Sequence, residues 1–421
     1  MMSLRLVPRV QPSRAMLFLA PVLAVALTLI VGLAVFAWLG QNPFKAFRVF
    51  FIDPVSDMSG FSELLLKASP LCLIALGLAI GFRASIWNIG AEGQMYMGGV
   101  FATGLAIYFH ESSGPWLLPA MIVAGALGGA LWASVTAVLR AQFHANEILV
   151  SLMLTYVADL IVKYLVFGPW QDPQANNFPI TVPFSDNALF PLFASWGWEW
   201  FEGTRINASV FLTLVAIPAA WLFMERSFLG FQLQVTGLAP GAARYAGFPE
   251  KRMVWLALLI SGAAAGLAGV SEVAGPIGQL NDRWAPLYGF TAIIVAALGR
   301  MHAFGIVLAS LLMALLVGGA LAGVAGVMEV AGPIGQLNDR WSPGYGFTAI
   351  IVATLGRLHP VGIALASLLL ALLYLGGESV QITLQLPKAI SQVFQGLLLM
   401  FLLGCDVLVN YRVERRPQVQ A

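Results

Sequence analysis

The stretch WLLPAMIVAGALGGALWASVTAVL, residues 116–139, contains 24 residues and no charged side chain, and Arg140 closes it. As a helix rising 1.5 Å per residue it reaches 24 × 1.5, or about 36 Å, enough to cross a hydrocarbon core of about 30 Å. Residues 16–39 form a second block of the same kind. Over the chain as a whole, 59% of residues are hydrophobic and 10% charged, with a mean hydropathy of +0.84. A soluble chain carries about one-quarter charged residues. The composition therefore excludes a soluble globular class and predicts an all-α, polytopic bundle of transmembrane helices.

The remaining composition narrows the chemistry. Cys72 and Cys405 lie in separate apolar blocks and read as small buried hydrophobes, not as a disulfide. His110, His144, His302 and His359 have no metal-ligand spacing, and no nucleotide phosphate loop, HExxH or GxSxG motif occurs. The reading is a non-enzyme without a cofactor of its own. If ATP drives it, another subunit binds and hydrolyses that ATP. The apolar run 16–39 is longer than a signal peptide's 7–15 residues and no small-residue cleavage site follows, so it reads as an uncleaved first span.

Basic residues orient the spans. Arg5, Arg9 and Arg14 place the segment 1–15 in the cytoplasm by the positive-inside rule. Spans then follow at 64–82, 86–109, 116–139 and 148–167, with Arg83 and Arg140 at inner turns. Residues 168–208, nearly free of Lys and Arg, are expected outside, and residues 226–252, with Arg226, Arg244, Lys251 and Arg252, inside. The membrane region is expected over 16–408, and the basic tail 409–421 is again expected in the cytoplasm.

One stretch, AGPIGQLNDRW, occurs at 274–284 and again at 331–341, an offset of 329 − 272 = 57 residues between flanking glutamates. Residues 269–316 and 326–373 share 39 identities in 48 positions. Each copy, about 269–325 and 326–382, holds an outward loop, a half-helix of about ten residues and a longer apolar segment. Each therefore adds two passes and leaves downstream orientation unchanged. The segment 304–330 begins like the end of one copy and finishes like the start of the other, as a hybrid helix at the joint. The expected total is about 12 passes, ten of a core and two duplicated. Near-identity argues for a recent duplication with no separate role.

Polar residues within spans mark candidate sites, because ionisable groups there are costly. In GFRASIWNIGAEGQMYMGG, residues 81–99, Asn88 and Glu92 are four apart and are expected on one helical face. Two readings stand open for Glu92: a functional carboxylate, or a hydrogen-bonded pin at a broken helix start. Asp159 and Lys163, also four apart, read as a structural pair. In QVTGLAPGAARYAGFPEKR, residues 234–252, Gly and Pro punctuate a short helix-prone tract that can dock a protein or lie on anionic lipid.

Four motifs in order, NIGAEGQ, ANEILVSLMLTYVA, GLAPGAARYAGF and SPGYGFTAIIVATLGR, resemble the permease subunits of ABC importers for nucleosides and simple sugars, within the ribose and branched-chain amino acid permease superfamily. The likeness runs over about 64–407. It implies a bacterial inner-membrane protein working with an ABC ATPase, a second and probably different homologous permease subunit, an external substrate-binding protein and membrane lipid, and no nucleic acid. It also implies an ATPase-coupling helix at Gly237, Ala242, Ala243, Arg244, Tyr245, Ala246 and Gly247. Pathway candidates are Asn88, Glu92, Gln94, Asn146, Glu147 and Tyr345. The chain departs from the family pattern at Ala239 and Pro240, and at Thr155, where asparagine is frequent. The alternative function is an ion-coupled secondary transporter, for which intramembrane carboxylates and half-helices are the relevant features.

Overall fold

A computed structural model describes Ala37 and residues 58–316, apart from 111–113, 176, 177, 283, 285 and 286. The N-terminal segment, the first span apart from Ala37, the second copy, the tail, Cys405, His359 and Tyr345 lie outside the described residues. Among the described residues ten α-helices follow one another: α1 (Met58–Arg83), α2 (Ala91–Tyr108), α3 (Leu117–Phe143), α4 (Glu147–Val166), α5 (Val210–Arg226), α6 (Phe228–Leu238), α7 (Pro240–Tyr245), α8 (Glu250–Glu272), α9 (Tyr288–Leu298) and α10 (Ala303–Leu316). Among the described residues there is no strand, only two isolated bridges.

Four of these helices, α1, α3, α4 and α8 with its extension to Ile277, are long and apolar enough to cross a membrane. The pair α5 and α6 adds a fifth if its 66° bend is taken within one span. The helix α2, expected as a span over 86–109, is not among them. Glu92, Gln94 and four glycines lower its hydropathy, and it starts only at Ala91. The expected half-helix is present as the 11-residue α9.

Small residues let three helices cross closely. A Cβ on Gly98 of α2 would stand 2.8 Å from the carbonyl carbon of Gly266 in α8, and one on Gly129 of α3 would stand 2.8 Å from the Gly266 Cα. No side chain fits at either place, so backbone packs on backbone. In lipid such proximity matters because dispersion contacts, not expulsion of water, hold helices together. The helix α1 is buried along most of its length between α8, α5, α9 and α10.

The two ends of α1 and α8 explain the turns around them. At the end of α1, Ser85 takes a left-handed φ of 57°, while Ile86 N–H donates to Gly81 and Ser85 N–H to Phe82. This is a Schellman stop, and it sends residues 86–90 out of helical geometry. The helix α8 ends in a π-turn, Val273–Ile277, containing Pro276. The long loop 168–208 lies along that turn: Phe190 N–H donates to Ala274 O, Phe184 N–H to Gly278 O and Thr181 N–H to Leu280 O. The first copy of the repeated stretch is thus the edge on which the long loop is laid.

Candidate functional site

Asn88 is not on a helix. It sits in the non-helical segment before α2, where its Oδ1 accepts from Gly90 N–H at 3.2 Å. Its Nδ2 donates to Gln94 Oε1 and to Ser261 Oγ, both at 2.8 Å, and Gln94 Nε2 donates back to Asn88 Oδ1 at 3.0 Å. The expectation that Asn88 and Glu92 share a helical face is corrected: the α1 stop leaves Asn88 one turn short of the helix. Asn88 and Gln94, each 1% exposed, form a reciprocal amide pair that joins the start of α2 to α8. Beside them Ser151 of α4 accepts from Ile89 N–H at 3.2 Å. Buried amides without such partners would be costly, so this set acts as a closed hydrogen-bonded joint.

Glu92 is fully buried in the first turn of α2. Its Oε2 accepts from the backbone N–H of Gly289, in the first turn of α9, at 2.5 Å. Two helix N-termini therefore converge on one carboxylate, and both present partial positive charge to it. The approach requires glycine at 289, since a Cβ there would stand 2.6 Å from the Glu92 Cα. Leu287, the residue capping α9, is held at φ 65°, in the left-handed region. Tyr96, one turn along from Glu92, meets the Trp284 ring edge-on with centroids 5.7 Å apart. The Glu92–Gly289 hydrogen bond is the kind of contact that the pin reading expects.

The other polar candidates are engaged elsewhere. Asn146 caps α4, accepting from Ile148 N–H at 3.0 Å and Leu149 N–H at 3.4 Å. Glu147 pairs with Arg140 across the turn between α3 and α4 at 3.2 Å. Lys163 and Asp159 form the expected i,i+4 pair at 2.6 Å. Thr155 is buried where α4 meets Gly93 of α2, and its Oγ1 donates to Ser151 O.

The loop 226–252 is mostly helical. The expected short helix is α7, with Pro240 in its first turn. Ala243 is buried, whereas Tyr245 is 97% exposed and Arg244 is exposed beside it. Gly247 turns the chain at φ 78° and the Phe248 N–H closes the turn on Ala243 O. Gly237 packs against the backbone of Arg83 and Ala84, and Ser85 Oγ donates to Gly237 O at 3.1 Å. Arg83 extends the junction. Its guanidinium donates to Met224 O and to Met301 O, each at 3.3 Å, and to Glu225 at 2.6 Å. One arginine thus ties the end of α1 to the end of α5 and to the turn between α9 and α10.

Reading the sequence for charge marked Arg83 only as a topology signal, and it passed over Ser261 and Gly289. The Tyr-Gly pair that opens α9 at 288–289, and recurs in the sequence at 345–346, was the available sign of a close approach.

The chain matches the family described as branched-chain amino acid transport system, permease component, over residues 60–317 and again over 314–403. The second match opens inside the segment 304–330, where the hybrid helix was placed. The chain is 31% identical over 414 residues to the glucose ABC transporter permease protein of Haloferax volcanii, covering 98% of this chain and 93% of that protein. It is 29% identical over 304 residues to the guanosine ABC transporter permease protein of Bacillus subtilis, covering 72% and 85%. Against the nucleoside ABC transporter permease protein of Lactococcus lactis it is 27% identical over 305 residues, covering 72% and 83%. No solved structure matches the chain.

Proposed function

This chain belongs to the permease-component family of branched-chain amino acid transport systems, and we propose that it forms, with a second permease subunit, the pathway by which an ABC importer takes up a nucleoside or a simple sugar. The observation that carries this reading is the similarity, over most of the chain, to permeases named for glucose, guanosine and nucleosides. The chain is a multi-pass membrane protein, and in this reading it lies in a bacterial inner membrane with both termini in the cytoplasm. ATP is bound and hydrolysed by a partner ATPase, and an external binding protein delivers the solute.

Coupling runs through α7. Arg244 and Tyr245, exposed on a six-residue helix, offer a cation and an aromatic ring to a groove on the ATPase. Gly237, Ala242, Ala243, Ala246 and Gly247 keep the rest of that loop compact. A displacement of α7 is passed by the Gly237 contact to the end of α1, and by Arg83 to α5 and the α9–α10 turn. The joint of Asn88 and Gln94 with Ser261, and the separate Glu92–Gly289 contact, link those movements to the start of α2. Asn88, Gln94 and Glu92 are in this reading supports of the pathway wall. Asn146, Glu147 and Tyr345 are retained as pathway candidates of the same proposal.

The ion-coupled alternative depends on a free intramembrane carboxylate, and one oxygen of Glu92 is already held by a backbone amide. The test is uptake into proteoliposomes containing the permease pair and its ATPase, with labelled guanosine or glucose and the matching binding protein. ATP-dependent uptake of either solute supports the proposal. Uptake without ATP that follows an imposed proton or sodium gradient overturns it.

A further inference from the structure

The long loop carries the sequence FASWGWEWF at 193–201, which neither the pathway nor the coupling loop uses. Its base is rigid. Phe193 is buried with Leu66 of α1, Ile206 and Val210 in an apolar cluster separate from the main core. Arg205 grips Glu63 of α1 with two hydrogen bonds of 2.8 Å, which fixes the loop to the same end of α1. Around Phe193 the rings pack on one another: Trp196 at 5.6 Å, Trp198 at 5.0 Å and Phe211 at 5.5 Å between centroids. Yet the outer indoles are not covered. Trp196 and Trp198 are nearly half exposed and Trp200 is 80% exposed.

The cluster continues onto α5. Trp196 stacks on Phe211, in the first turn of α5, at 6.0 Å and 23°. Phe211 begins an exposed apolar stripe on α5 that continues through Leu214, Val215 and Leu222, while Val210, Thr213, Ala220 and Met224 are buried on the opposite face. At the far end of α5 the Arg226 guanidinium stands over the Trp221 ring, 5.7 Å from its centroid. The 17 residues of α5 extend about 25 Å, close to a hydrocarbon core of about 30 Å. An apolar stripe of that length, with indoles at both ends, has the layout of a lipid-facing helix between two interfaces. The loop also carries exposed Glu199 and Glu202, which bar it from the hydrocarbon. Three indoles among two carboxylates suit the headgroup layer, where one side of each ring is apolar and the other wet.

We propose that residues 193–201 form an aromatic anchor seated in the phospholipid headgroup layer, and that this anchor sets the depth of α5 and of the long loop in the bilayer. It depends on the membrane reading alone and stands whichever solute is carried.

The test uses the full chain and Trp200→Phe in phosphatidylcholine nanodiscs, with the Trp200 signal taken as the difference between their emissions. Because Trp200 is largely exposed, its replacement leaves the fold in place, which size-exclusion elution verifies. The expected result is quenching of that difference by lipid brominated high on its acyl chains, weaker quenching by deeply brominated lipid, and weak quenching by aqueous iodide. A second variant, Trp196→Phe with Trp198→Phe and Trp200→Phe, should lose the lipid-quenched component still further. Strong iodide quenching without lipid quenching overturns the anchor. So does a signal that responds to neither and changes only when a substrate-binding protein is added, which assigns the rings to protein docking.

Discussion

The carboxylate of Glu92 holds the backbone amide of Gly289, 197 residues away, at 2.5 Å, so that two helix starts meet on one buried side chain. Glu92→Gln keeps an acceptor oxygen for that amide. Its uptake should stay within about threefold of the parent, a loss of roughly 0.7 kcal/mol or less, since the amide oxygen keeps the hydrogen bond to Gly289. Glu92→Ala leaves the Gly289 N–H buried and unpaired, which costs about 1–3 kcal/mol and should lower the melting temperature of the purified protein. Uptake measured with and without a protonophore decides the role. Loss of transport in Glu92→Gln with ATPase coupling intact, or collapse under the protonophore, would favour proton coupling.

Leu287 holds a left-handed φ of 65°, and the equivalent residue of the second copy is Gly344. For leucine that conformation costs about 1–2 kcal/mol, offset by about 0.5–1 kcal/mol of chain freedom when glycine replaces it. Leu287→Gly should therefore be neutral to slightly stabilising in thermal unfolding. The second copy also repeats Ala274, Gly278, Leu280 and Gly289 as Ala331, Gly335, Leu337 and Gly346. Deleting residues 269–325 joins Ala268 to Gly326 and leaves 421 − 57 = 364 residues. The shortened chain should insert, present its C-terminal reporter on the same side and transport at least as well. Normal insertion and ATPase binding without transport would show that the second copy has a task of its own.

Gly266 lies where α2 and α3 both touch α8. A Cβ there would stand 3.0 Å from the Gly125 carbonyl carbon and 3.1 Å from the Gly129 nitrogen, both backbone atoms that no rotamer change can move. Gly266→Ala should destabilise the bundle by about 1–3 kcal/mol, as overpacking does. The readout is the thermal midpoint in detergent, with Gly241→Ala, which has open space around it, as the neutral control.

Docking and transmission should separate. Replacing Arg244 and Tyr245 by alanine should abolish co-purification of the ATPase with membrane insertion unchanged, because both side chains are exposed and hold no partner among the described residues. Arg83→Ala should retain the ATPase but lower ATP-driven uptake, since it removes the link from α1 to Met224, Glu225 and Met301. Retained ATPase binding after loss of Arg244 and Tyr245 would sink the assignment of α7.

How much was legible follows from what each feature depends on. Four long apolar helices were legible because charge is costly in a lipid solvent, so the limits of such blocks are written in residues such as Arg83 and Arg140. Residues 116–139 became Leu117–Phe143, and 148–167 became Glu147–Val166. The short α9 and α7 were legible for the same local reasons, the length of an apolar run and a proline at a helix start. The repeat needed no structure at all.

Only the tertiary structure decided what the polar residues do. Asn88 looked like a helical partner of Glu92, yet a left-handed Ser85 stops α1 and leaves Asn88 to pair with Gln94 and Ser261. The partner of Glu92 is a backbone amide, which has no letter in the sequence, and Gly289 is conspicuous only when another helix start is already against it. Hydrophobic blocks record an interaction between each residue and its solvent, which is local. The joints of this bundle are contacts between residues about 140–200 positions apart, and their geometry exists only after the helices have packed.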